Sequence, residues 1–357
     1  MKILKKLRKL DPDPILSSER MRIYFEDDLK KLGEDACRLS EEQERQALEF
    51  WNRYTPLTSA AWISYYYSRT GVFDVRFVPQ DIFYAEIDKL LNHPVRAYGV
   101  DDKLLSYRIF PKEIQPKPVA VHYGSVFLNA DFEVISRGEA FRLCEEEKTV
   151  VAKPVTDSCG GTGVEVLRLP EDRGRLARVM SFDYPVLFQS KVEQHPDLAV
   201  FHPESVNTVR LLTYLRESGE VVVLSSVLRM GVGDSFVDNH VSGGCSCGIS
   251  EDGALHDFGY SNDGYQIKAH PGGVSFASLR VPHYRALADT AKRLHLYLPQ
   301  FAMLSWDLSV TPDGRPVMIE MNIGKPSIDF MQQNNGPLFG DYTEEVLERV
   351  YRLPLIR

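Results

Sequence analysis

The 357 residues balance 42 Lys and Arg against 50 Asp and Glu, a net charge of −8, with 43% apolar and 26% charged side chains. That is an ordinary globular composition with room for about two to three domains, and its acidic balance excludes a basic nucleic-acid-binding surface as the main feature. No run of eighteen apolar residues signals a membrane helix, and five Cys without even spacing exclude a disulfide framework, pointing to a reducing, cytoplasmic setting.

The first ten residues, with Lys2, Lys5, Lys6, Arg8 and Lys9 among apolar neighbours, are basic and amphipathic but lack a signal-peptide core. They read as a solvated tail or as a weak membrane-surface contact. Asp11-Pro12-Asp13-Pro14 marks a linker. Residues 17–54 carry apolar side chains at helical spacing, and Ser40-Glu41-Glu42-Gln43 has the form of a capping box. The aromatic residues between Phe50 and Tyr67 are expected in the core. From Gly71 the chain is expected to turn irregular, through Pro79, Pro94 and Pro111.

Residues 117–170 change character. Short β-rich runs at 119–122, 125–128, 150–153 and 164–169, with a helix near 138–147, predict a small antiparallel unit. Strands follow at 185–189, 208–215 and 221–230, helices at 283–298 and 342–353. Strands and helices mix without regular βαβ alternation, so the expected class is α+β. The expected divisions are 1–54, a helical extension; 55–115, an N-terminal lobe; 116–190, a small lid; and 191–357, a C-terminal lobe.

Two segments carry chemistry. Trp306-Asp307-Leu308 and Val317-Met318-Ile319-Glu320-Met321-Asn322 flank a turn-rich Thr311-Pro312-Asp313-Gly314-Arg315-Pro316. Asp-Gly between apolar runs predicts a hairpin. A loop centred on Asp313-Gly314 puts Asp307 opposite Glu320, and Asn322 on the same face. Two carboxylates and an amide oxygen suit Mg²⁺, which keeps waters and is completed by phosphates. The second segment is Lys153 at a strand end, followed by Ser158-Cys159-Gly160-Gly161-Thr162-Gly163. Glycines let backbone N–H groups approach an anion, and a nearby Lys adds a point charge. The loop is not a Walker A motif. Together the two segments describe a Mg-nucleotide site between lobes, with Lys103 as a second lysine.

The ordered set of Asp102-Lys103, Ala152-Lys153-Pro154, Gly160-Gly161-Thr162-Gly163-Val164, the strand 187–192, Asp307 and Glu320-x-Asn322 resembles the ATP-grasp superfamily. The closest subgroup is the sugar-transfer associated ATP-grasp family, matched by Val78-Pro79-Gln80-Asp81-Ile82-Phe83-Tyr84, by Ser205-Val206-Asn207-Thr208-Val209-Arg210, by Val237-Asp238-Asn239-His240-Val241-Ser242-Gly243-Gly244, and by Glu320-Met321-Asn322-Ile323-Gly324-Lys325-Pro326-Ser327. The resemblance implies two α+β lobes clasping ATP. Lys103 and Lys153 would hold phosphates, and the loop with Ser158, Gly160, Gly161, Thr162 and Gly163 would cover them. Gln189, Lys191 and Val192 would meet the adenine, with Gln189 where many relatives carry Glu, and Glu193 would meet the ribose. Asp307, Glu320 and Asn322 would bind Mg²⁺. Arg210 and Arg229 would neutralise the transferred phosphoryl group, the N–H groups of Gly243 and Gly244 would meet the developing oxyanion, and Asn239 would contact phosphate or Mg²⁺. Lys325 and Ser327 would contact the acceptor, and His240 would contact substrate or transfer a proton.

The implied activity is ligation of a carboxylate to an amine through an acyl phosphate, in surface polysaccharide or glycan-precursor biosynthesis. The small-molecule partners would be an amino acid or a sugar derivative. A phosphotransferase and a nucleotide-bound scaffold are the alternatives. Cys245 and Cys247 are expected to pack in a Gly-rich turn without zinc, and His195 and His202 to be loop or cleft-wall histidines.

Overall fold

The computed structural model describes residues 38–57, 59–156, 161–233, 243–324 and 326–352. Within them the chain begins at helix α1 (Glu41–Trp51), started as its sequence demands. The Ser40 hydroxyl accepts from the Gln43 N–H (3.2 Å) and the Gln43 side chain accepts from the Ser40 N–H (2.9 Å). Residues 17–37 of the expected helical stretch lie outside the described residues. Helix α2 (Ala61–Thr70) ends on Gly71, whose φ of 71° is the left-handed conformation of a helix terminus. Trp51, Trp62, Ile63 and Tyr66 are buried, and Tyr66 stacks on Phe77 at 5.0 Å, so the aromatic run is core as expected.

The segment after Gly71 departs from expectation. Instead of irregular chain it holds α3 (Gln80–Ile82), a π-helical turn (Phe83–Ile87), α4 (Asp88–Leu91), α5 (Pro94–Tyr98) and α6 (Lys103–Ile109). The prolines start these helices: Pro79 stands at the N-cap of α3, and Pro94 in the first turn of α5, where no N–H is required. Asp102 caps α6 by accepting from the N–H groups of Leu104 (2.7 Å) and Leu105 (3.0 Å), which fixes where Lys103 leaves the backbone.

Two antiparallel sheets follow. The first has six strands in the order β3-β2-β1-β6-β4-β5, formed by β1 (Pro118–Tyr123), β2 (Val126–Asn129), β3 (Val134–Ile135), β4 (Thr149–Pro154), β5 (Glu165–Arg168) and β6 (Val186–Ser190). Helices α7 (Arg137–Glu147) and α8 (Arg173–Val179) cover one face with Ala140, Cys144, Leu176 and Val179. Val121, Val155 and Leu187 pack with Tyr107 of α6.

A short helix α9 (Pro196–Ala199) leads to the second sheet, of order β11-β10-β9-β8-β7-β12-β13. Its strands are β7 (Thr208–Leu215), β8 (Val221–Met230), β9 (Cys245–Ile249), β10 (Leu255–Tyr260), β11 (Gln266–Ile267), β12 (Met303–Val310) and β13 (Pro316–Asn322). Helix α10 (Tyr284–His295) lays Leu287, Ala291 and Leu294, at helical spacing, against Leu304, Trp306 and Leu308. The other face, with Leu212, Tyr214, Val227 and Met303, shares one core with α1, α2 and residues 77–91, and with α11 (Ile328–Asn335) and α12 (Thr343–Arg352). The expected α+β class is met.

Strands β9 to β11 escaped sequence reading. Cys245 and Cys247 are on β9, not in a Gly-rich turn; both are buried, and burial pushes their thiols up to about 12. The small residues there serve close approach. A Cβ on Gly259 would lie 2.2 Å from the Ser246 carbonyl oxygen, and one on Gly248 2.4 Å from His256 Nδ1. Such positions cannot carry the β-branched residues that announce a strand.

Candidate active site

The late hairpin folds as its turn residues demand. Asp307 pairs with Glu320 across β12 and β13, and Ser305 with Asn322. On its other side Asp307 pairs with Arg210 of β7. Residues directly opposite in antiparallel strands share a face, so Arg210, Asp307 and Glu320 form one polar row across three strands. Asn322, two residues beyond Glu320, lies on the same face, its amide nitrogen 3.5 Å from Asp307 Oδ2.

Asp307 is 3% exposed. Arg210 holds it bidentately, Nε to Oδ1 at 2.7 Å and Nη2 to Oδ2 at 2.6 Å, and Arg229 Nη1 adds 3.0 Å to Oδ2. Burial alone pushes this carboxyl up, but the two guanidiniums outweigh it and bring it down to about 2. Arg210 also donates to the Pro326 carbonyl (3.4 Å) and stands over the Phe330 ring at 5.7 Å. Both arginines are therefore buried at the metal-type carboxylate, rather than on the surface.

Lys103 Nζ, from α6, meets Glu320 Oε1 at 2.9 Å. Around this pair opens a cleft lined by Lys103, Lys153, Gln189 and Glu320 with the apolar Val100, Tyr107, Leu187, Met318 and Met321. Register explains the gathering on the first sheet. Lys153 of β4 pairs with Leu187 of β6, and Gln189, two residues on, shares that face. Lys153 is buried to 9% exposure. The Tyr107 hydroxyl donates to Gln189 Oε1 at 3.3 Å. Tyr107 was not anticipated from sequence; its place on α6, one turn after Lys103, is the signal that would have found it.

The glycine loop is described from Gly161. Gly161 and Gly163 have φ of 73° and 79°, and a Cβ on Gly163 would stand 2.8 Å from Pro154 Cγ, so loop and strand end approach closely. Ser158, Gly160, Asn239, His240 and Lys325 lie outside the described residues. The chain after β6 runs past the cleft: Lys191 pairs with Glu204 at 3.3 Å, Glu193 is exposed, and neither they nor Val192 line the cavity. Gly243, at φ 88°, and Gly244 precede β9, whose first residue, Cys245, pairs with Met230 next to Arg229. Ser327 stands at the N-cap of α11 in the left-handed region (φ 59°), without a capping bond from its side chain.

Neighbouring polar residues hold the frame. Asn207 Nδ2 donates to the carbonyls of Leu198 (2.9 Å) and His202 (3.1 Å) and to Gln194 Oε1 (3.0 Å), fastening the entry to β7 and so the position of Arg210. His202 bridges the Gly233 carbonyl (2.7 Å) and the Ser205 N–H (2.9 Å); His195 accepts from the Asp197 N–H. Both act as loop-ordering groups. Among the described residues no three His, Cys, Asp or Glu side chains cluster as metal ligands by themselves. The hairpin set of two carboxylates and an amide oxygen fits a hard cation whose remaining positions go to water and phosphate.

A family model described as sugar-transfer associated ATP-grasp matches residues 83–346. Among solved structures the chain is similar to an N5-carboxyaminoimidazole ribonucleotide synthetase in its ADP complex, at 14% identity and a TM-score of 0.39, over 62% of this chain and 44% of that one. It is similar to an L-amino acid ligase from Bacillus licheniformis, at 14% identity and a TM-score of 0.39, over 71% of this chain and 48% of that one. A D-alanine–D-alanine ligase from Bacillus anthracis matches at 13% identity and a TM-score of 0.40, over 72% of this chain and 69% of that one. The chain thus spans less than half the length of the first two. No curated protein matches.

Proposed function

Because this chain belongs to the sugar-transfer associated ATP-grasp family, we propose that it is an ATP- and Mg²⁺-dependent ligase joining a carboxylate to an amine. The observation that carries this reading is the convergence of Lys103, Lys153, Gln189 and Glu320, from four separate elements, on one cleft. Lys103 and Lys153 hold the phosphates of ATP, beneath the glycine loop with Ser158, Gly160, Gly161, Thr162 and Gly163. Gln189 faces the base, and Lys191, Val192 and Glu193, next along the chain and beyond the cleft lining, meet the outer edge of the base and the ribose where the nucleotide extends past that lining. Asp307, Glu320 and Asn322 hold Mg²⁺, which when bound offsets the charge of the triphosphate.

The substrate carboxylate oxygen attacks the γ-phosphorus as the bond to the ADP oxygen breaks, giving an acyl phosphate. The amine then attacks the acyl carbon, its N–H proton leaves, and inorganic phosphate departs with the former carboxylate oxygen. Both steps need charge neutralisation and alignment rather than a protein nucleophile. Lys103 and Lys153 supply positive charge directly. Arg210 and Arg229 keep Asp307 ionised and correctly turned. Gly243 and Gly244 stabilise the oxyanion and Asn239 contacts phosphate or Mg²⁺, while Lys325 and Ser327 face the acceptor and His240 contacts substrate or transfers a proton. The family description favours a substrate from surface glycan or glycan-precursor assembly, with an amino acid or sugar derivative on one side. No helix among the described residues is long and apolar enough to cross a membrane. The assignment to a reducing, ATP-supplied compartment rests on the cysteine usage.

ADP release measured over a panel of amino acids and uronic acids, with and without an amine, tests the reading. ADP should form with the right carboxylate and rise when the amine is added. Lys153→Met should lower kcat/KM by about 100-fold or more while the protein melts as wild type does. ADP formation indifferent to every amine points to phosphotransfer, and none in any combination to a scaffold; either outcome overturns the ligase assignment.

A further inference from the structure

We infer that Lys103 and Glu320 make this cleft select the metal-complexed nucleotide over the free one, an inference that rests on the nucleotide reading above. Lys103 Nζ and Glu320 Oε1 are 2.9 Å apart, and the pair is largely screened from solvent, with side-chain exposures of 19% and 30%. It joins α6, which borders the first sheet, to the edge strand of the second. One partner is the phosphate-type lysine and the other a cation-type carboxylate. Each is thus satisfied by the other before any ligand arrives.

A metal-free nucleotide that draws Lys103 to its phosphates strips Glu320 of that partner and sets a carboxylate against a polyanion. Like charges a few ångströms apart in a cleft of reduced dielectric are costly. A cation arriving alone meets the opposite obstacle. Both oxygens of Asp307 already accept from Arg210 or Arg229, and Glu320 accepts from Lys103, so three positive groups oppose it. When cation and nucleotide arrive together, the ammonium passes to phosphate and the carboxylate to the cation, and no charge is orphaned. The result is positive coupling between the two ligands, and it is reciprocal by linkage.

Titration of ADP, with Mg²⁺ or with EDTA, into wild type and Glu320→Gln gives the test. Wild type should bind ADP at least about tenfold more tightly with Mg²⁺ than without it. The variant should reverse sign between conditions: metal-free ADP binds several-fold more tightly than to wild type, and Mg²⁺-ADP more weakly. In Lys103→Met, Mn²⁺ alone should become measurable by its paramagnetic signal, whereas wild type takes up none. Thermal melts check that both variants fold. Glu320→Gln weakening ADP equally in both conditions, or leaving the metal-free affinity unchanged, overturns the inference. Wild type that binds no ADP in either condition overturns instead the nucleotide reading beneath it.

Discussion

Asp307→Asn is expected to be among the most destabilising single changes in the ligand-free protein, costing about 3–5 kcal/mol in denaturant unfolding. The carboxylate lies between two buried guanidiniums, Arg210 and Arg229, whose side chains are 8% and 7% exposed. Removing its charge leaves both cations with no carboxylate between them. A neutral amide also cannot accept from Arg210 on both arms, since one arm of the fork then faces an NH₂ group. The same clamp sets an acid limit. The folded carboxyl sits near 2, below its ordinary 3.8, so its contribution is complete above pH 3.8 and fades as pH falls through about 2. That contribution is on the order of 2 kcal/mol. Wild type should lose stability across that window, and the variant should show a shallower acid limb there. A variant that melts like wild type at pH 7 would show that the arginines are solvated rather than clamped.

Gln332→Leu should loosen the helical segment that precedes Lys103. Gln332 lies fully buried on α11, directly after the metal-type strand, and imitates a strand partner for Val78. Its Oε1 accepts from the Val78 N–H at 2.7 Å and its Nε2 donates to the Val78 carbonyl at 3.0 Å; the Leu338 N–H adds 3.3 Å to Oε1. Leucine matches the volume but leaves three buried backbone groups without this partner. At about 1–3 kcal/mol for each stranded group, a loss of about 3 kcal/mol is the conservative expectation. Hydrogen exchange should show Val78 and the π-helical turn losing protection more than α10, on the far face. Uniform loss, or none, would mean that the amide does not dock this segment.

What the sequence disclosed, and what it hid, follows from the physics of each element. Ser40 with Gln43 announced α1, because a capping box is local. Asp307 opposite Glu320 was legible because Asp-Gly turns and period-2 alternation are local as well. The route to that register was not. Val310 pairs with Pro316 around a five-residue turn, which by simple counting would oppose Asp307 to Ile319; a bulge between Asp307 and Leu308 restores Glu320. Bulges leave little trace in composition. Pro79 and Pro94 look alike as breakers and as helix starters, and only the fold distinguishes the two. The family resemblance implies Arg210 and Arg229 as phosphate-neutralising groups, yet their grip on Asp307 depends on β7 lying beside β12, 97 residues away along the chain. The Lys103–Glu320 pair is more distant still, and no local pattern foreshadows it.

The central claim is that a Mg²⁺-nucleotide sits where the late acidic hairpin faces Lys103 and Lys153. A crystal structure of the protein with AMP-PNP and Mg²⁺ tests it most directly. Phosphate oxygens should lie within hydrogen-bonding distance of both lysine ammoniums, a cation should sit on the Asp307, Glu320 and Asn322 oxygens, and the base should lie against Gln189. Full nucleotide occupancy elsewhere, with the Lys103–Glu320 pair intact and the cleft holding water alone, would contradict it.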